Sequence, residues 1–190
     1  MRPASDLLEI PEVRARLSPI SLEQYHRLPE FNQNGRRTEL VRGIVLEKEP
    51  KSPLHCSVAR RLDERLQAHL PEDTVLLRCD PLTLTDSEPE PDFALVQGKP
   101  SDLRQHHPTT ALLVVEIAVS SAALDREKAA HYAEAGVQEY WIILASERRV
   151  EVYRQPENGG YHECSSLEGM ARLQALSLPE LSISLAEIFS

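Results

Sequence analysis

Residues 112–118, LLVVEIA, are apolar except for one carboxylate, Glu116, inside the run. A continuous apolar stretch with β-branched residues predicts a strand buried on both faces. An unpaired ionised carboxylate in such a strand costs several kcal/mol. Something must therefore compensate Glu116: a salt-bridge partner, a shifted pKa or a metal ion. Side-chain alternation puts Leu112, Val114, Glu116 and Ala118 on one face, so the acid emerges from an apolar wall.

The surrounding sequence reads as alternating helices and strands. Ser21 with Gln24 three residues on is a capping-box pattern opening a short helix over 21–28. NQNGRR (32–37) is a turn-rich break, and TELVRGIVLEKE (38–49) predicts a hairpin turning at Gly43. The clearest helix is 52–70: Ser52 can cap it, Pro53 suits its first turn, and Leu54, Val58, Leu62, Leu66 and Leu70 recur every four residues. Residues 74–85 predict a strand, a break at Pro81 and a second strand; SEPEP (87–91) is a loop; DFALV (92–96) is a short buried strand; and 98–108 is another loop. After the run at 112 comes SSAALDREKAAHYAEAG, whose second half predicts a helix ended by Gly136. Strands over 137–146 and 148–155 pair as a hairpin, NGG (158–160) turns into YHEC, and 176–189 gives an extended piece and a short terminal helix. The order predicts an α/β (α+β) protein with a mixed sheet. Residues 1–19, with Pro3, Pro11 and Pro19, read as an N-terminal arm to one domain over 20–190.

Bulk properties exclude several classes. No apolar stretch approaches the roughly 20 residues a bilayer span needs, and the N-terminus lacks a basic patch followed by an apolar segment; a cytoplasmic location with no membrane partner is the expectation. Cys56, Cys79 and Cys164 are odd in number and widely spaced, which argues for free thiols over disulfides or structural zinc. There is no Walker A loop, GxGxxG, HExxH or GxSxG. Twenty-one basic against thirty acidic residues leave a formal charge of −9, the wrong sign for general phosphate attraction. The doublets Arg36–Arg37, Arg60–Arg61 and Arg148–Arg149 are either a local basic patch or solvated faces.

Asp92 opens a strand and Glu116 lies in the next strong one, and two such carboxylates on neighbouring strands can converge on a hard divalent cation. Such an ion would also neutralise Glu116, for which a basic side chain is the alternative. Lys128, twelve residues on in the helix after the strand, can reach the pair if that helix folds back along the sheet; alternatively it is a surface lysine beside Asp125 or Tyr132. Glu39 starts an earlier strand, as a further ligand or as an exposed strand-end acid. His55 sits in the first turn of the long helix, as a packed or capping residue or a catalytic one.

ELVRG (39–43), KSPLH (51–55), EPEPDFALV (88–96), LLVVEIAVSS (112–121), DREKAAHYAEAGVQEYWII (125–143) and VEVYR (150–154) resemble, in order, the signatures of the Uma-two family, a bacterial group of restriction-endonuclease-like proteins. The resemblance implies the PD-(D/E)XK nuclease fold, a mixed central sheet flanked by helices, with a site cleaving phosphodiester bonds of DNA. By position Asp92 matches the aspartate of PD and Glu116 the acid of the second half-motif. The lysine expected two residues after Glu116 is replaced by Ala118; Lys128 matches the lysine this family supplies from the following helix, and Glu39 its N-terminal acid. The resemblance further implies Mg²⁺, or Mn²⁺, held by Asp92, Glu116 and the Ile117 carbonyl with Glu39 as an additional ligand, and Lys128 assisting the water or the developing charge. A homodimer fits enzymes that cut both strands. The alternative is a noncatalytic module on a nuclease fold that binds nucleic acid or protein.

Overall fold

The buried run is the third strand of a six-stranded mixed sheet. A computed structural model describes residues 8–28 and 37–190. The central strands are β3 (Thr74–Leu77), β4 (Phe93–Gln97), β5 (Leu113–Ala118), β6 (Glu139–Leu144), β7 (Arg149–Glu157) and β8 (Gly160–Leu167), adjacent in that order. All neighbours are antiparallel except β5 and β6, which run parallel with Leu113 opposite Glu139 and Glu116 opposite Ile142. Parallel neighbours need a crossover, supplied by helix α4 (Ala122–Glu134). Gly136, at φ +72°, sits two residues past the helix end and returns the chain to β6.

Alternation along β5 divides the interior in two. Leu113, Val115 and Ile117 join Trp141, Ile143 and the inward face of α3 (Pro53–Gln67). Val114 and Ala118 join Leu82, Tyr132, Tyr140 and Ile142 on the α4 side. Glu116 shares that second face, as its position in the run requires.

Helix α3 starts at Ser52, whose Oγ accepts the His55 backbone N–H at 3.2 Å. Its four-residue repeat advances about 40° per step around the helix. The middle members Val58, Leu62 and Leu66 are therefore buried while Leu54 is exposed. The predicted capping box at Ser21 forms, opening α2 (Leu22–His26), with Gln24 N–H to Ser21 Oγ at 3.2 Å and the return bond at 2.8 Å.

Two small antiparallel pairs flank the sheet. The hairpin β1 (Thr38–Val41) and β2 (Ile44–Glu47) turns on Arg42 and Gly43, both at positive φ as a tight hairpin turn demands. It meets the rest of the chain through Leu40, whose backbone exchanges hydrogen bonds with Glu88 at 2.7 and 3.3 Å. Strands β9 (Arg172–Ala175) and β10 (Leu178–Ser184) lead into α5 (Leu185–Phe189), which packs on α3.

Four expectations need correction or bounding. Residues 82–85 form no strand: Leu82 and Leu84 are buried, but Leu82 N–H bonds to Pro89 O and Leu84 N–H to Ser87 O, across a proline-rich return that cannot ladder. The helix after β5 begins at Ala122 and occupies the whole segment, not its second half. β9 was not foreseen; only alternate residues, Leu173 and Ala175, are buried along its short length. Of the residues read as an arm, 1–7 lie outside the described residues, as does 32–36 of the turn-rich break, while 8–19 carry the single turn α1 (Pro11–Arg14), with none of them buried. The three cysteines are free thiols. Among the described residues no helix is long and apolar enough to cross a membrane.

Candidate active site

The sheet opens where β4 and β5 part. Their ladder ends at Phe93 opposite Val115. One residue earlier, the prolines of the 87–91 loop give way to Asp92, and its side chain continues the ladder in place of backbone: Oδ2 accepts the Ile117 N–H at 2.9 Å. The same oxygen accepts from His55 Nε2 at 2.9 Å, while Oδ1 accepts from Lys51 Nζ at 2.8 Å. Both come from the KSPLH segment, where the Ser52 cap fixes the first turn of α3 against the sheet. Burial works to raise the Asp92 pKa, but His55 and Lys51 hold it down to about 2. Asp92 is thus an anion, and Nε2 is the protonated nitrogen of His55 when it donates to it; Nδ1 is buried and has no partner among the described residues.

Glu116 is compensated twice over. Its Oε1 accepts from Lys128 Nζ at 3.1 Å and from Tyr132 Oη at 3.1 Å. Burial nevertheless pushes its pKa up to about 8, against the pull of Lys128 and with help from Asp125, Asp92 and Glu39. Of the compensations open to the sequence, the salt bridge and the shifted pKa are both present.

Lys128 is the hub. Only 3% exposed, its ammonium lies 2.8 and 3.0 Å from the two oxygens of Glu39, 3.1 Å from Glu116 and 3.7 Å from Asp125. Burial acts to lower its pKa, but Glu116, Glu39 and Asp125 outweigh this and raise it. The surface-lysine alternative is overturned: α4 folds back along the sheet and turns Asp125, Lys128 and Tyr132, spaced three and four apart, inward on one stripe. Asp125 is itself buried, with Oδ2 accepting from Ser121 Oγ at 2.6 Å.

Glu39 reaches the hub from β1. It is 3% exposed, so it is no solvated strand-end acid, and its Oε2 also accepts the Glu90 N–H at 3.4 Å. Glu39, Asp92, Glu116, Ile117 and Lys128 all line one cleft of 510 Å³, joined there by Lys51, His55 and Asp125. Among the described residues no three His, Cys, Asp or Glu side chains are arranged to hold a metal ion. Both Glu39 oxygens face Lys128 instead.

Lys51, Asp125 and Tyr132 were not singled out from sequence as site residues, and His55 was left open. A signal existed for His55: it begins the stripe His55, Val58, Leu62, Leu66, all of them buried. No such signal marks Lys51, which precedes the helix. One arginine of each basic doublet is committed elsewhere: Arg37 pairs with Glu90, Arg61 reaches the Ile188 carbonyl at 3.5 Å, and Arg149 pairs with Glu147 at 2.5 Å and Glu151 at 3.8 Å, while Arg60 and Arg148 are exposed. Arg36 lies outside the described residues.

A family model described as "Putative restriction endonuclease" matches residues 22–186. The chain belongs to the Uma2 family. That is the family its ordered motifs resemble. The fold of this Uma2 chain is also that of a solved protein, described as "a putative nuclease belonging to DUF820" from Anabaena variabilis ATCC 29413. The TM-score is 0.75 at 20% identity, over 90% of this chain and 98% of that one. At that identity the likeness establishes a shared fold. No curated protein matches the chain.

Proposed function

We propose that this Uma2 protein is a metal-dependent endonuclease that hydrolyses phosphodiester bonds in DNA, acting at the cleft between β4 and β5. One observation carries this reading: Asp92, Glu116 and Lys128, which follow one another along the sequence as the family's site does, share a single buried cleft with the Ile117 peptide. The family's description and the fold's similarity to a protein described as a nuclease point the same way.

The donor set suits Mg²⁺ or Mn²⁺. Magnesium takes one or two carboxylates and keeps several waters; Asp92 and Glu116 would supply two, and the Ile117 carbonyl would be the backbone ligand that the family resemblance implies. The local charge favours a cation as well: Glu39, Asp92, Glu116 and Asp125 crowd around Lys128 and Lys51, and burial, helped by the neighbouring acids, holds Glu116 up at about 8. When bound, the ion polarises a phosphate oxygen and lowers the pKa of an attacking water.

The chain's own residues do the rest. His55 and the Ile117 N–H fix the Asp92 carboxylate, and His55 and Lys51 keep it ionised. Tyr132 and Lys128 fix Glu116. Lys128 supplies a permanent positive charge under the reacting phosphate, where burial strengthens its effect. Glu39 is reassigned from ligand to holder of Lys128, since both its oxygens face the ammonium.

Supercoiled plasmid incubated with purified protein and Mg²⁺ or Mn²⁺ tests this, beside Asp92→Asn and Glu116→Gln. Nicking or linearisation by the wild type and its loss in both variants is expected. Metal binding without cleavage on any nucleic-acid substrate would instead favour the noncatalytic module.

A further inference from the structure

Three lysines line the cleft, and they differ in what they can touch. Lys128 is 4% exposed at its side chain and surrounded by carboxylates. Lys48 is 19% exposed, tied to the Glu90 carbonyl and 3.8 Å from Glu39. Lys51 is 31% exposed and hangs from Asp92 Oδ1 and from Cys79 Sγ, at 2.8 and 2.9 Å. It is the cleft lysine most open to an incoming phosphate.

Asp92 is held unequally. Oδ2 is fixed from two sides, by the buried His55 ring and by the β5 backbone. Among the described residues Oδ1 is held by Lys51 alone. An ammonium and a divalent cation seek the same thing from a carboxylate oxygen, so the two compete for Oδ1, whereas Oδ2 keeps the side chain in place whichever is bound. We propose that Lys51 occupies the metal's position on Asp92 in the free protein, and that the arriving cation displaces it toward the scissile phosphate, where it becomes a second substrate-facing lysine beside the buried Lys128. This rests on the metal-dependent nuclease reading above.

Burial opposes the charge on Lys51, but its hydrogen bonds to Asp92 and Cys79 raise its pKa and keep it an ammonium. The exchange is therefore one cation for another, with no proton to account for. It also explains how a chain of charge −9 could make its phosphate-binding charge available only when metal is present: before that, Lys51 is spent on an internal pair. Glu47 and Glu49, which also line this cleft, repel a phosphate that arrives without it.

The test is a titration of Mn²⁺ into metal-free wild type, Lys51→Met, Lys51→Arg and Asp92→Asn by calorimetry, with no nucleic acid present. Binding of a labelled duplex oligonucleotide is then measured with and without Mn²⁺. Lys51→Met should bind Mn²⁺ about tenfold more tightly than wild type, since the competitor is gone. It should lose most of the gain in oligonucleotide affinity that Mn²⁺ gives the wild type, and Lys51→Arg should restore that gain. A merely structural lysine would weaken both measurements together. Unchanged or weaker Mn²⁺ binding by Lys51→Met, with Asp92→Asn impaired, overturns the exchange alone. Asp92→Asn binding Mn²⁺ as well as wild type overturns the metal reading itself, and the exchange with it.

Discussion

Replacing Lys128 by Met removes the one ammonium shared by Glu39, Glu116 and Asp125 while keeping most of the side chain's length and volume. Glu116, held at about 8, is largely protonated at neutral pH and loses little. Glu39 is different: it is 3% exposed and gives both oxygens to Lys128 at 2.8 and 3.0 Å, so removal of that ammonium leaves it the more distant Lys48 at 3.8 Å and the Glu90 N–H at 3.4 Å. Stripping one partner from a buried pair costs about 3–5 kcal/mol. For a chain of 190 residues the unfolding entropy is about 0.4 kcal/mol/K, so the melting temperature should fall by roughly 10 °C. The loss should also depend on pH with a definite sign. In the variant the orphaned acids take up protons in the folded state at pH values where the unfolded chain has released them, so stability rises as pH falls, by about 1.4 kcal/mol per pH unit for each such proton. Urea unfolding of Lys128→Met and wild type at pH 5, 6 and 7 should show the deficit shrinking toward acid, and adding Glu39→Gln to the variant should recover much of it. A variant that melts within about 2 °C of wild type and shows no trend with pH would mean that Lys128 does not hold these charges.

Glu116 and Asp92 should pull the metal-free wild type in opposite directions. The folded pKa of Glu116 lies above its ordinary 4.5, at about 8, so its destabilising contribution is absent at acid pH and grows as pH rises from 4.5 to 8; Glu116→Gln should remove that slope in urea unfolding curves. Asp92, lowered to about 2 from 3.8, stabilises fully above 3.8 and loses this contribution as pH falls toward 2, a loss that Asp92→Asn should abolish. Gly43, at φ +72°, leaves no room for a side chain: an added Cβ would lie 2.5 Å from Pro19 Cβ and 2.9 Å from the Ile20 carbonyl oxygen. Gly43→Ala should therefore cost roughly 1–3 kcal/mol in thermal melts.

The strong periodic signals translated directly into structure. The buried run became the interior strand, the Ser21 and Ser52 caps opened their helices, and the placement of Lys128 followed from the parallel crossover. Asp92 and Glu116 stood out as candidates because an acid opening an apolar strand, or lying within one, is conspicuous. What sequence could not supply was the pairing. Whether Lys128 met Glu39 or solvent depended on a hairpin 89 residues away in sequence docking over α4, and no local pattern encodes that contact. The 82–85 misreading has a related cause. Leu82 and Leu84 alternate because both point into the core, but burial produces the same spacing as a strand when proline removes the ladder donors. Lys51 escaped because a lone lysine beside a proline looks like any surface residue until its partner is known.

Among the described residues the β1–β2 hairpin pairs with no strand of the central sheet, its bridge at Leu40 being to Glu88 in the loop before β4, yet it carries Glu39 into the centre of the cleft. Held by the four buried residues of β1 and by backbone bonds to Asp86 and Glu88 rather than by a ladder to the sheet, it can detach as a separate cooperative segment at lower free energy than global melting. Its departure would leave Lys128 short of its principal counter-charge and open the cleft to bulk water while the six strands stay assembled. Heat inactivation would then precede loss of the overall β-sheet signal, and the first amides to lose protection from hydrogen exchange would be those of residues 38–47.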